Sequence, residues 1–109
     1  MNKKIKMNEF LSEMDSMIVI SGRNLGYDIR KKIGLDKIDE DGNNYDFIFP
    51  ENIISISTSF FLGLFGNSVR KFKNKQDFQT KYNIMGNSNL DRNVSDGIVD
   101  ALNDVDGLS

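Results

Sequence analysis

The sequence predicts an α/β fold, a single domain whose mixed, partly parallel sheet of about four to five strands is covered by about three helices. Short apolar runs rich in β-branched residues recur, first at Met17, Ile18, Val19 and Ile20 and again at Ile53, Ile54 and Ile56. Between and after these runs, apolar residues are spaced by three and four, the period of an amphipathic helix. Strands that alternate with helices imply parallel pairing under a helical cover. A chain of 109 residues buries one core of useful size without covalent staples.

The elements follow in order β-β-α-β-α-β-α. Ile5 and Met7, with lysines between and around them, suggest an edge-like first strand. Met17 to Ile20 reads as the second strand, closed by Ser21 and Gly22. Leu25, Ile29 and Ile33 recur at helical spacing and predict a helix over about 23–33, with Gly34 placed as its C-terminal cap. Residues 36–46 are acidic and turn-rich. A calcium loop started at Asp39 puts acidic or amide groups at 39, 41 and 43, but Asn44 stands where glycine is required and Pro50 where glutamate is required. A turn at Asp41-Gly42 or Gly42-Asn43 is the reading that remains.

Phe47, Ile48 and Phe49 form the next extended run, interrupted by Pro50, which cannot donate to a strand ladder. Extended apolar sequence resumes over 53–56. A long helix follows over about 58–73, its apolar stripe made by Phe60, Phe61, Leu64, Phe65, Val69 and Phe72. Gly63 and Gly66 inside it each cost about 1 kcal/mol of helix propensity against alanine, and suit close packing either of the helix backbone against the sheet or of a partner against the helix. Alternation of Phe78, Thr80, Tyr82 and Ile84 with polar residues predicts a strand over 78–85. A loop at 86–89 leads to a last helix over about 91–103, with Asp91 favourably placed for its dipole, and residues 106–109 read as a frayed tail.

Composition removes several function classes. There is no cysteine, hence no disulfide and no thiolate metal site, and no histidine, hence no imidazole base or ligand. No cofactor is implied, and the chain reads as a non-enzyme. No apolar run approaches the roughly 20 residues needed to cross a bilayer, and polar Met7-Asn8-Glu9 follows the basic N-terminus where a secretion signal would turn apolar. A cytoplasmic protein without membrane contact is expected. The net charge of −2 argues against nucleic acid as partner. Charge is nevertheless uneven: Arg70, Lys71, Lys73, Lys75 and Lys81 oppose only Asp77 over 70–81, while residues 91–106 hold five aspartates against Arg92.

The most informative segment is the strand-to-helix junction at Ser57, Thr58 and Ser59. Three hydroxyls at a helix start suit either a cap, in which one side chain accepts an amide two or three residues on and contributes about 1 kcal/mol, or phosphate chemistry and partner docking. Phe60 and Phe61 are adjacent and diverge by about 100° on a helix, so either one of them is an exposed anchor beside the cluster or both are buried between the sheet and a neighbouring helix. Arg23, at the start of the first helix, is a candidate for holding an acidic group.

The element order and the run from Phe49 through Ser55, Ser57, Thr58, Ser59 and Phe60 to Gly66 resemble the STAS-like domains, relatives of bacterial anti-sigma-factor antagonists. Residues 19–30, with Ser21 and Arg23, and residues 82–94 extend the resemblance to roughly 5–105. It implies a regulatory module that binds a protein partner, a GHKL-type ATPase or kinase, through the 55–66 region. Thr58 matches the phosphorylated serine of the antagonists, with Ser57 and Ser59 as neighbouring candidate acceptors, and Ser55, Phe60, Phe61, Gly63 and Arg23 are implied to face the partner. Ser57 stands where the antagonists usually have aspartate, and Phe60 where they have glycine. A competing expectation is a small phage or mobile-element protein that inhibits a host protein by covering its surface.

Overall fold

A computed structural model describes residues 2–11 and 18–103. Strand β1 (Lys3–Lys6) ends in a single 3-10 turn, and β2 (Ile18–Ile20) runs into helix α1 (Arg23–Ile33). A short α2 (Leu35–Ile38) precedes β3 (Tyr45–Ile48) and β4 (Ile53–Ile56). The chain then builds α3 (Thr58–Phe72), α4 (Lys75–Lys81), β5 (Tyr82–Met85) and α5 (Asn89–Asn103). The α/β class stands, with every described strand pairing parallel.

Those strands make two sheets, not one mixed sheet: a three-stranded sheet in the order β1-β3-β5 and a two-stranded sheet of β2 with β4. The chain passes from one sheet to the other at Pro50. Phe49 donates its N–H to Met85 O at the end of the first sheet, and the turn in which Ile53 N reaches Pro50 O delivers the chain to the second. Each sheet is therefore entered by a separate strand on either side of the proline.

Three further expectations are corrected. Met7 leaves the strand and is fully buried in the 3-10 turn. The predicted strand over 78–85 is helical up to Lys81: Asn74 Oδ1 accepts from Asp77 N, which starts α4, and the alternation of Phe78 with Tyr82 is one helical turn. Burial agrees, since Phe78 is inside while Thr80 is exposed. The last helix starts earlier, at Asn89, because Asn87 accepts from the amides of Asn89 and Leu90. With α2 and α4 there are five helices among the described residues, where about three were expected. Met17 and the tail at 106–109 lie outside the described residues.

Helix α3 is the centre of the molecule. It is fully enclosed over Phe60, Phe61, Gly63, Leu64, Phe65, Gly66, Ser68 and Val69, so its apolar surface wraps around the helix instead of forming one stripe. Phe65 meets Phe47 of β3 edge-on at 4.9 Å and Phe78 of α4 at 5.3 Å. On another side α1 crosses it with backbone touching backbone: a Cβ on Gly63 would stand 2.1 Å from Arg23 O, and one on Gly26 2.5 Å from Phe60 O. On a third, Gly97 of α5 accommodates the Phe61 ring. The predicted cap of α1 is present, as Gly34 adopts φ 81° and donates to Arg30 O.

Candidate functional site

Strands β2 and β4 are parallel neighbours, and each runs straight into a helix. Their two strand-to-helix turns therefore emerge at the same end of the small sheet, the carboxyl end at which open α/β sheets form crevices. A hydrogen bond staples them: Ser57 N donates to Ile20 O at 2.8 Å. Gly22, at φ 107°, gives the first turn the backbone shape that enters α1.

Ser57 is the cap of α3, with its Oγ accepting from Phe60 N at 3.1 Å. Its hydroxyl also lies 3.1 Å from that of Ser59 in a hydrogen bond. Thr58 makes no side-chain hydrogen bond with the described residues. All three hydroxyl residues are half-buried, and Arg23 on the neighbouring turn is exposed. Asn93 of α5 supports the junction from behind, its Oδ1 accepting from Ile56 N at 2.9 Å.

Ser55 is the register partner of Val19, and both alternate with the buried pair Ile20 and Ile56. They thus share the opposite face of the two-stranded sheet, where Val19 is 59% exposed. Ser55, Ser57, Thr58, Ser59 and Arg23 accordingly lie on or beside one end of this sheet. Phe60, Phe61 and Gly63 do not join them at the surface. Both phenylalanines are fully buried, so the turn offers no exposed phenylalanine anchor, and Gly63 is covered by the backbone of α1.

The sequence reading passed over a second polar cluster. Asp39, just past α2, has a fully buried side chain. It accepts from Arg30 at 2.9 Å, from the Ser68 hydroxyl at 2.8 Å and from the Tyr82 hydroxyl at 2.5 Å, and Lys71 stands at 3.4 Å. Arg30 continues to Leu64 O, to Ser68 and to Asp36. Burial, then the bonded and charged Asp39, push the Tyr82 hydroxyl far above its ordinary range, so it remains a donor. The hydrogen bond from Arg30 holds Asp36 below the usual carboxylate range.

Beside it, Asp41 takes Lys81 at 2.7 Å and also bonds the Tyr45 hydroxyl. Burial raises the Asp41 carboxyl, but the bonds from Lys81, Tyr45 and Asn43 together outweigh it and hold the group well below the usual range. No buried side-chain polar atom among the described residues lacks a partner. The cluster joins α1, α3 and β5 through one carboxylate and presents nothing unpaired to a substrate. Its one advance signal was Ser68, a hydroxyl standing between Phe65 and Val69 on the apolar helix.

Comparison of the chain with protein-family models, with curated proteins and with solved structures gives no match. Among the described residues no helix is long and apolar enough to cross a membrane.

Proposed function

We propose that the protein is a non-enzymatic, STAS-like regulatory module that docks a protein partner of the GHKL ATPase or kinase type at the paired β2–α1 and β4–α3 turns. The observation that carries the reading is the staple from Ser57 N to Ile20 O, which sets two helix starts side by side. Within that pair the division of labour among the hydroxyls is unequal. Ser57 is committed to the cap and Ser59 to Ser57, which leaves Thr58 as the acceptor for a switching phosphate. A phosphate there adds about −1.5 to −2 charge at the first turn of α3, where the helix dipole favours it. It changes the surface a partner meets without opposing the fold.

Affinity capture from the protein's own host tests this, with wild type compared against Thr58→Glu, Thr58→Ala and Arg23→Glu. A GHKL-type ATPase held by wild type and Thr58→Ala but released by Thr58→Glu supports the reading. Retention of every partner by all three variants, at unchanged melting temperature, refutes it.

A further inference from the structure

The three-stranded sheet ends at β1, which pairs with β3 on one side and has no described strand on the other. Lys3 N donates to Asn44 O at 3.0 Å, so the backbone of Lys3 turns toward β3. By strand alternation the peptide groups of Lys4 and Lys6 turn toward the open edge. A groove of about 380 Å³ lies between this edge and the helical layer of α1 and α2. Ile5, Phe10, Ile33 and Ile38 give it an apolar floor, each partly buried against the core.

Its rim is cationic. Lys4, Lys6 and Lys32 border the groove, and among the described residues Glu9 is the one acidic side chain in its lining. None of the three lysines makes a hydrogen bond or ion pair with the described residues. The Asp46 carboxyl is lowered first by its hydrogen bonds from Asn2 and Asn83 and to a lesser degree by the charge of Lys4. Elsewhere the molecule pairs its enclosed cations closely, as at Arg30 and Lys81. Lysines on an edge strand ordinarily serve to repel other strands. Around an apolar groove the same charges select, because they repel basic and disfavour neutral segments while attracting acidic ones.

We propose that this groove docks an extended acidic segment of a partner protein, with aliphatic or aromatic side chains on the floor and alternate Asp or Glu side chains on the lysine rim. Addition along the open edge of β1 would supply main-chain hydrogen bonds, and the alternation of the added strand would supply the two sets of contacts. The site lies on the other sheet from the Ser57 turn and does not depend on the function proposed there. A membrane surface fits less well: among the described residues Val19, Leu25, Tyr27, Met85 and Val99 are the large exposed apolar ones, and none of them lines the groove. Its apolar residues are partly buried while Lys4, Lys6 and Lys32 are exposed.

The probe is a short fluorescein-labelled synthetic peptide alternating Glu with Leu and Phe, read by fluorescence anisotropy against the whole chain. Control peptides replace Glu by Lys, or Leu and Phe by Ser. Saturable binding is expected for the acidic apolar peptide alone, weakened about tenfold or more by the double charge reversal Lys4→Glu with Lys6→Glu, and weakened by salt. Amide chemical-shift changes are expected at residues 4–6 and 32–33, and Thr58→Glu is expected to bind the probe as wild type does. Equal binding of the lysine or serine peptide, no binding, or indifference to the double reversal overturns the proposal. So does lysine-dependent capture by phosphatidylserine vesicles with no peptide binding.

Discussion

Gly63 and Gly66 lie on the same turn of the same buried helix, yet alanine should have opposite effects at the two positions. At Gly63 the added Cβ would stand 2.1 Å from the carbonyl oxygen of Arg23. That obstacle is backbone, with no rotamer to relieve it, so α1 and α3 must separate by roughly 1 Å to regain ordinary contact. The same interface carries the bonds from Arg30 Nη1 to Leu64 O and to Ser68 Oγ, both 2.9 Å. Stretched by that amount they cease to be hydrogen bonds. Overpacking costs about 1–3 kcal/mol, weakening charged hydrogen bonds about 1.5–3 kcal/mol, and the gain in helix propensity returns about 1 kcal/mol. A net loss of about 3 kcal/mol follows, a fall in melting temperature of about 12–24 °C for a domain of this size. At Gly66 the nearest atoms are the guanidinium of Arg70, at 3.3 Å, a side chain that a shift of a few tenths of an ångström accommodates. There the propensity gain dominates, and Gly66→Ala should be neutral or up to about 1 kcal/mol more stable. Urea and thermal unfolding followed by far-ultraviolet circular dichroism measure both. A Gly63→Ala protein within about 1 kcal/mol of wild type would refute the close helix crossing.

Three further outcomes follow from the polar contacts. Asp39→Ala should cost about 3–5 kcal/mol, because it leaves the buried Arg30 and the Tyr82 hydroxyl without their shared acceptor, and Tyr82→Phe about 1.5–3 kcal/mol, because one donor to that charge is removed; urea unfolding ranks the two. Asp41 is held below its unfolded value of about 3.9, so it contributes stability above about pH 4 that is lost as pH falls through the lowered value. The stability gap between wild type and Asp41→Asn, taken from urea midpoints, should therefore be widest near neutrality and narrow in acid; a gap independent of pH would sink that assignment. Ser57→Ala should cost about 1 kcal/mol through the lost cap, whereas Thr58→Ala should stay within about 0.5 kcal/mol of wild type, and a matching loss at both would mean that Thr58 shares the capping.

Much of the fold was legible because its signals are local. The Gly34 cap and the ends of α1 and β4 need only the residues beside them. Residues 78–81 were misread because Phe78 and Tyr82 satisfy a period of two and a helical turn alike, and the deciding feature is the Asn74 cap, which a strand reading has no use for. The division into two sheets was not legible. It depends on where the chain goes after Pro50, a tertiary fact that proline permits without dictating. The Arg30–Asp39–Ser68–Tyr82 cluster, apart from the hint of Ser68 on an apolar helix, was hidden for the same reason. Its members come from separate elements, and only the folded chain makes them neighbours.

Enclosure of α3 decides how its N-terminal turn can be read by another molecule. Phe60 and Phe61 point into the core, so the docking proposed there would meet hydroxyls, backbone, Arg23 and the exposed Val19 and Leu25 instead of a phenylalanine anchor. Surfaces of that kind gain specificity more than affinity from charge, and a rim charge acts chiefly on association rate and salt dependence. A single added phosphate is then a large change in the local charge. The buried face of α3, meanwhile, is fixed by the Gly26–Gly63 crossing and the Asp39 cluster, neither of which includes Ser57, Thr58 or Ser59. Change at the turn is thereby separated from change in the core, the condition under which a docking surface can be altered while the domain stays folded.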